Sequence, residues 1–296
     1  MSTSPLFTGS AVALITPFDG GEIDHAALSR LAEWHIACGS DALVVCGTTG
    51  EASTMSDRER LAVVDTCVRA ARGRVRVIAG TGSNSTAHTV SLTRDAISAG
   101  ADGVLVITPY YNKTTQEGLV RHYTAVADAS DVPVILYNVP SRTGLSCTAE
   151  TYCRLASHPR IHGVKEASGS FTLLQDTLDL CPTDFYVWSG NDEDTVAVMA
   201  LGGQGVISTA ANIIPREMHA LTQLCLANNF ASAGREQLRL RALLRALFCE
   251  VNPIPVKTAA AALGLCTQEL RLPLCPMAEE HRKILLRLLN SYDVKV

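Results

Sequence analysis

The stretch Ile161-His162-Gly163-Val164-Lys165-Glu166-Ala167-Ser168-Gly169 delivers a lysine at the end of a short β-type run, straight into a polar turn. A lysine so placed loses water around its ammonium, which favours the neutral amine, and a neutral amine attacks carbonyl carbon. The chemistry indicated is imine formation. The same position also suits a lysine that merely pairs with a carboxylate such as Glu166. Other polar residues follow further β-like runs. Thr48 and Thr49 stand in Gly47-Thr48-Thr49-Gly50-Glu51, and Tyr110 and Tyr111 in Thr108-Pro109-Tyr110-Tyr111-Asn112. Tyr137 and Arg142 stand in Tyr137-Asn138-Val139-Pro140-Ser141-Arg142-Thr143-Gly144, Gly190 in Ser189-Gly190-Asn191, and Ile207 just before Ser208. One Lys, two separate Tyr sites, paired Thr hydroxyls and one Arg suit chemistry on an α-keto acid. Making and hydrolysing an imine moves protons, which a phenol bonded to hydroxyls can relay. Paired threonines and backbone N–H groups can hold a carboxylate, and Arg142 can fork onto a second one. Taken singly, the threonines suit a turn or a phosphate loop, the tyrosines an interface and Arg142 a surface ion pair.

The elements that must position these residues are legible as eight β-like runs: Ser10 to Ile15, Ala42 to Cys46, Val75 to Ala79, Gly103 to Ile107, Val132 to Tyr137, Ile161 to Lys165, Phe185 to Trp188 and Gln204 to Ile207. They are rich in Val, Ile and Leu without clean alternation, the pattern of parallel strands covered on both faces. Amphipathic helical patterns separate most of them. Asp24 caps the first, with Leu28, Leu31, Ala32 and His35 on one face before Gly39. Ser56 with Glu59, and Thr114 with Glu117, have capping-box spacing, and Leu173 to Leu180 continues the pattern up to Pro182. Eight strands in β-then-α order predict an α/β fold, a closed (β/α)₈ TIM barrel over residues 1–228. An open doubly wound sheet would want a dinucleotide fingerprint, and Gly80-Thr81-Gly82-Ser83-Asn84-Ser85 lacks its last glycine. In such a barrel the strand ends meet at one mouth, which gathers the residues above. Residues 229–296 predict a C-terminal domain of three helices, Glu236 to Phe248, Pro255 to Leu263 and Ala278 to Leu289, expected to cover one side of the barrel or support assembly.

The chain of 296 residues carries a formal net charge of −4, which gives no electrostatic footprint for nucleic acid or an anionic membrane surface. Met1 to Gly9 has no basic segment followed by an apolar core, and no run stays apolar long enough to span a bilayer; a cytoplasmic protein is expected. The ten cysteines form no Cys-x-x-Cys pair, so neither a zinc site nor a disulfide framework is predicted, and Cys46, Cys67 and Cys225 read as core residues. His158 and His162 have i,i+4 spacing, but Pro159 breaks any shared helical face for a metal.

The phrases around Thr48, Tyr111, Tyr137 and Lys165, together with Asn252-Pro253-Ile254-Pro255-Val256-Lys257, resemble the dihydrodipicolinate synthase family from about Phe7 to the C-terminal helices. The lysine, the tyrosine and the Gly-Thr-Thr loop are shared with N-acetylneuraminate lyases and 2-keto-3-deoxy-sugar-acid aldolases; Arg142 is the residue that resembles the synthases' clamp on an aldehyde substrate's carboxylate. The resemblance implies that Lys165 forms a Schiff base with pyruvate and that Tyr137 donates and accepts protons. It implies that Thr48 and Tyr111 complete the relay, Tyr111 from a neighbouring subunit, and that Thr49, Gly190 and Ile207 line the pyruvate site. Condensation with L-aspartate-4-semialdehyde would then feed diaminopimelate and lysine synthesis, with no metal or organic cofactor. Family members are commonly homotetramers built as pairs of tight dimers. A sugar-acid aldolase and a non-catalytic keto-acid sensor are the competing readings. In lysine-inhibited members the effector lies at positions matching Ala52, Ser53, Asp57, Arg60, Asn84, His88 and Tyr110. Those members offer a Glu where this chain has His88, and often a His where it has Arg60. The added positive charge faces a ligand with two amino groups, so L-lysine is expected to inhibit weakly or not at all.

Overall fold

Eight parallel strands close on themselves, and each begins and ends within two residues of its sequence expectation. They are β1 (Gly9–Ala13), β2 (Ala42–Val45), β3 (Arg76–Gly80), β4 (Gly103–Ile107), β5 (Val134–Asn138), β6 (Ile161–Glu166), β7 (Tyr186–Ser189) and β8 (Gly205–Ser208). The computed structural model describes residues 4–292 and 294. β1 pairs with both β8 and β2, which removes any sheet edge. β5 starts after Pro133, which has no N–H to give a ladder. β1 stops early because Ile15 gives its N–H to the Asn212 side chain at 3.0 Å instead of to a strand.

Side chains alternate in and out of the barrel. Val104, Val106, Leu136 and Val164 face the surrounding helices, whereas Val44, Leu105, Tyr137 and Ile207 fill the interior. At its N-terminal end the barrel is closed by Phe7, whose ring stacks on Trp188 at 5.1 Å and whose carbonyl accepts the Trp188 indole N–H at 3.2 Å. Both rings are buried. One irregularity sets the register between β5 and β6. Val134 lies opposite Ile161 but Ile135 lies opposite Gly163, so His162 is an extra residue on β6. Without it Tyr137 would face Val164; with it Tyr137 faces Lys165, and both point inward. The bulge ends on a glycine because a Cβ at position 163 would meet the Tyr186 carbonyl oxygen at 1.9 Å.

The first helix, His25–Ala37, is capped by the Asp24 side chain on the Ala27 N–H, and it buries Leu28, Leu31, Ala32 and His35 as predicted. The capping box of Ser56 and Glu59 opens the helix Asp57–Ala71. The expected Thr114 box is corrected: Thr115, extended at ψ 170, accepts the Gly118 N–H at 3.2 Å, and the helix runs Gln116–Asp128. Thr114 instead packs where a Cβ at Gly118 would sit. A two-stranded hairpin, Phe18–Asp19 with Glu22–Ile23, turns through Gly20 and Gly21, both with positive φ, and was not anticipated. Beyond residue 228 run the helices Phe230–Ala246, Ile254–Ala262 and Glu279–Ser291. The first begins six residues earlier than Glu236 because Asn229 caps it on the Ser232 N–H. Leu240, Leu244, Val256 and Leu285 from these helices share one apolar cluster with Val12, Leu43 and Leu28. No helix among the described residues is long and apolar enough to cross a membrane.

Candidate active site

Successive residues of a strand point to opposite faces, so Lys165 and Glu166 at the end of β6 part company. Glu166 points outward and is fully engaged: it accepts from Tyr152 Oη at 2.9 Å, Asn138 Nδ2 at 3.1 Å and the Ser168 N–H at 2.7 Å. Pairing with Lys165, the alternative reading of the sequence, is not what the structure shows. Lys165 is 6% exposed inside the barrel, and its Nζ lies 4.5 Å from the centre of the Tyr137 ring. Burial pulls its pKa down to about 8, with Asp192 pushing it up and Arg142 adding to the fall. A lysine at that value carries an appreciable share of neutral, nucleophilic amine at neutral pH.

Tyr137 is one residue from the end of β5, in register with Lys165. Burial raises its phenol pKa, while the Arg142 charge and a hydrogen bond with Thr48 hold the rise down. Thr48 sits on the loop after β2, where Cys46 and Glu51 both take positive φ. That loop is pinned from far along the chain. Lys257 Nζ donates to Glu51 Oε1 at 2.6 Å with both side chains 0% exposed. The other Glu51 oxygen accepts the Arg271 N–H at 3.1 Å. Asn252 Nδ2 donates to Thr49 Oγ1 at 2.9 Å, and Thr16 Oγ1 to the Gly50 carbonyl at 2.7 Å. The C-terminal segment was expected to cover the barrel; it also holds this loop.

Arg142 lies on a short helical turn, Pro140–Thr143, and its Nη2 donates to the Asn252 carbonyl at 3.3 Å. With Thr48, Tyr137 and Tyr110 it lines a cavity of about 300 Å³. Gly190 gives its N–H to the Glu166 carbonyl at 2.7 Å, and a Cβ there would lie 3.1 Å from Lys165 Cε. Ile207 is buried in the same interior cluster as Tyr137. Thr49 is buried, its hydroxyl held between Asn252 and Thr209. Tyr111 is the exception. It is 92% exposed on a backbone of φ +68, and this chain does not bring it to the others. Asp192, Asn252 and the Lys257–Glu51 pair were not assigned from sequence. Asp192 was hidden in the acidic run Asp192-Glu193-Asp194, and the only signal for Asn252 and Lys257 was their place in a family phrase.

Of the positions matched to the effector cleft, Ala52, Ser53, Arg60 and Tyr110 line this cavity. His88 Nε2 bonds Asp57 at 2.9 Å, and its Nδ1 lies 3.3 Å from Ser83 Oγ. Arg60 donates twice to the Ala52 carbonyl, at 3.0 and 2.6 Å, and its Nη1 is buried without a partner. The Asn84 carbonyl accepts from Asn112 Nδ2 at 3.0 Å, and Tyr110 and Ser53 line the cavity.

The chain matches the Dihydrodipicolinate synthetase family over residues 6–292. A protein of Geobacter sulfurreducens named 4-hydroxy-tetrahydrodipicolinate synthase is 50% identical over 289 residues, covering 98% of this chain and 100% of its own. The crystal structure of dihydrodipicolinate synthase from Aquifex aeolicus superposes with a TM-score of 0.96 at 44% identity, over 98% of this chain and 99% of that one. The chloride-inhibited dihydrodipicolinate synthase of Acinetobacter baumannii, solved in complex with pyruvate, gives 0.95 at 43% identity, over 97% and 99%.

Proposed function

The chain belongs to the dihydrodipicolinate synthetase family, and from that premise we propose how it works as a 4-hydroxy-tetrahydrodipicolinate synthase, a lyase that condenses pyruvate with L-aspartate-4-semialdehyde in diaminopimelate and lysine synthesis. The observation that carries the reading is Lys165: buried, with no carboxylate in ion-pair contact among the described residues, its pKa near 8, and in register with Tyr137. The amine adds to the keto carbon of pyruvate, water leaves, and a protonated imine results. Tyr137 exchanges the protons, its phenol supported by the Thr48 hydroxyl. Loss of a methyl proton turns the imine into an enamine, whose carbon attacks the aldehyde. Ring closure by the aldehyde substrate's amino group on the imine carbon then frees Lys165.

In this reading Thr49 and the backbone around Gly190 and Ile207 hold the pyruvate, and Arg142 holds the carboxylate of the semialdehyde. The relay is completed by Tyr111 reaching in from a neighbouring subunit, a role its exposure supports. The assembly is a homotetramer, a pair of tight dimers, and works in the cytoplasm. Residues 229–296 act as an appended helical unit on a barrel of residues 1–228. Feedback by L-lysine is weak or absent, supported by the placement of Arg60 and His88. The test is a coupled assay with pyruvate and the semialdehyde, alongside borohydride reduction with pyruvate and mapping of the added mass. Turnover with the label on the Lys165 peptide supports the reading. Label on Lys113 or Lys257, or pyruvate release from a sugar acid with little condensation, counts against it.

A further inference from the structure

One buried carboxylate acts on the charge of the amine and has no role so far. Asp192 lies just past the end of β7 and is 3% exposed. Its Oδ2 accepts the backbone N–H groups of Thr209 at 3.2 Å and Ala210 at 2.9 Å. Its Oδ1 is buried and has no hydrogen-bond partner. Donors from the end of β8 therefore clamp the group, while one oxygen is left electrostatically unsatisfied. A buried carboxylate left so is costly unless a cation faces it. Lys165 is the buried cation whose charge acts on Asp192, without a direct ion-pair contact. Its side chain passes over Gly190, two residues before Asp192, so closely that a Cβ there would lie 3.1 Å from Cε. Burial raises the Asp192 pKa, and the Lys165 charge is among the groups that oppose the rise.

We propose that Asp192 is the fixed counter-ion of the Lys165 iminium, a positioning residue that acts through the field it places on the lysine nitrogen. This rests on the reading of Lys165 as the imine-forming amine. The neutral amine and the keto carbon form a C–N bond; one proton is taken up, one water leaves, and the nitrogen carries a full positive charge. Enamine formation removes a methyl proton and cancels that charge, and carbon–carbon bond formation restores it. A fixed anion stabilises the two charged states and leaves the neutral amine unaffected. The other groups against the amine cannot do this. Arg142, from the turn after β5, is itself a cation, and Tyr137, beside it on β5, has its phenol pKa raised by burial. Glu166 points away and is occupied by Asn138, Tyr152 and Ser168.

Asp192→Asn keeps the shape and a backbone acceptor while removing the charge. Wild type and variant are reduced with borohydride across a pyruvate series, without semialdehyde, and the labelled fraction is read by mass. At about pH 9, where the wild-type amine is mostly neutral, the variant should need about tenfold more pyruvate for half labelling, and the pH midpoint of its labelling should fall by about one unit. Normal labelling with the wild-type midpoint and pH dependence would overturn the counter-ion. Wild-type enzyme that never labels would overturn the amine assignment and the counter-ion together. A second measurement needs no variant: isotope-edited difference infrared spectra of wild-type enzyme, free and pyruvate-loaded. These should show no aspartic acid becoming protonated as the iminium forms; a new protonated-carboxyl band would overturn the proposal even if Asp192→Asn does not fold.

Discussion

In the proposed mechanism Lys165 must meet two demands that conflict in water, being neutral enough to attack and basic enough to hold a proton once it has reacted. Burial supplies the first by lowering its pKa to about 8. Only the unprotonated amine attacks, so the rate of pyruvate labelling should rise about tenfold per pH unit below that value and level off above it. A labelling rate indifferent to pH through that range would mean that another group is the nucleophile. Arg142 is the second residue to which the proposal gives a separable role. Arg142→Ala should lower kcat/KM for the semialdehyde by about ten- to a hundredfold, the size of a charged hydrogen bond, while sparing pyruvate labelling. Equal losses in both, with structure preserved, would contradict the clamp. Lys165, Tyr137, Thr48 and Arg142 were legible as neighbours because each ends or follows a strand, and strand ends converge in a barrel. Asp192 and Asn252 were not, because their partners, Thr209 and Ala210 for the one and Thr49 for the other, are distant in sequence and only the closed fold brings them near.

At the level of elements, the loop from Gly47 to Glu51 depends on a lysine some two hundred residues away. Lys257→Met leaves the Glu51 carboxylate buried without its cation and should cost about 3–5 kcal/mol. Adding Glu51→Gln should return much of that loss. Chemical denaturation of the single and double variants checks this, and a single variant as stable as wild type would show that the pair is dispensable. The eight strands and the first helix were readable from apolar runs and caps. The hairpin had a signal, Gly20-Gly21, but only two residues on each side to carry it. The cap moved from Thr114 to Thr115 because both hydroxyls fit the spacing roughly and backbone direction chose between them. The bulge at His162 had no signal at all, since one extra residue in an apolar run leaves its composition unchanged. Yet it decides whether Lys165 faces Tyr137 or the helices.

On the scale of the molecule, a chain of net charge −4 gathers positive charge where its anionic substrates must go and where the matched effector cleft lies. Arg60 is already spent on the Ala52 carbonyl, and Asp57, the acid that could greet a cation, is paired with His88. L-Lysine should therefore leave the initial rate nearly unchanged up to millimolar concentrations at fixed substrate. Strong inhibition well below that range would show that the charge balance of the cleft is otherwise. The overall architecture was legible because β-then-α order is a property of the whole chain, whereas a single chain leaves Tyr111 exposed and gives its proposed role no partner to act on. The stack of Phe7 on Trp188 that seals the barrel's far end makes the vessel a cul-de-sac. Traffic in a cul-de-sac is ordered by depth: with pyruvate on Lys165 and the semialdehyde on Arg142, as proposed, pyruvate has to arrive before the semialdehyde, and product has to back out past Arg142. A semialdehyde molecule that parks first blocks the road, so excess semialdehyde should slow the enzyme in a way that more pyruvate relieves; initial rates over a grid of both substrates would reveal a back door if no such jam appears.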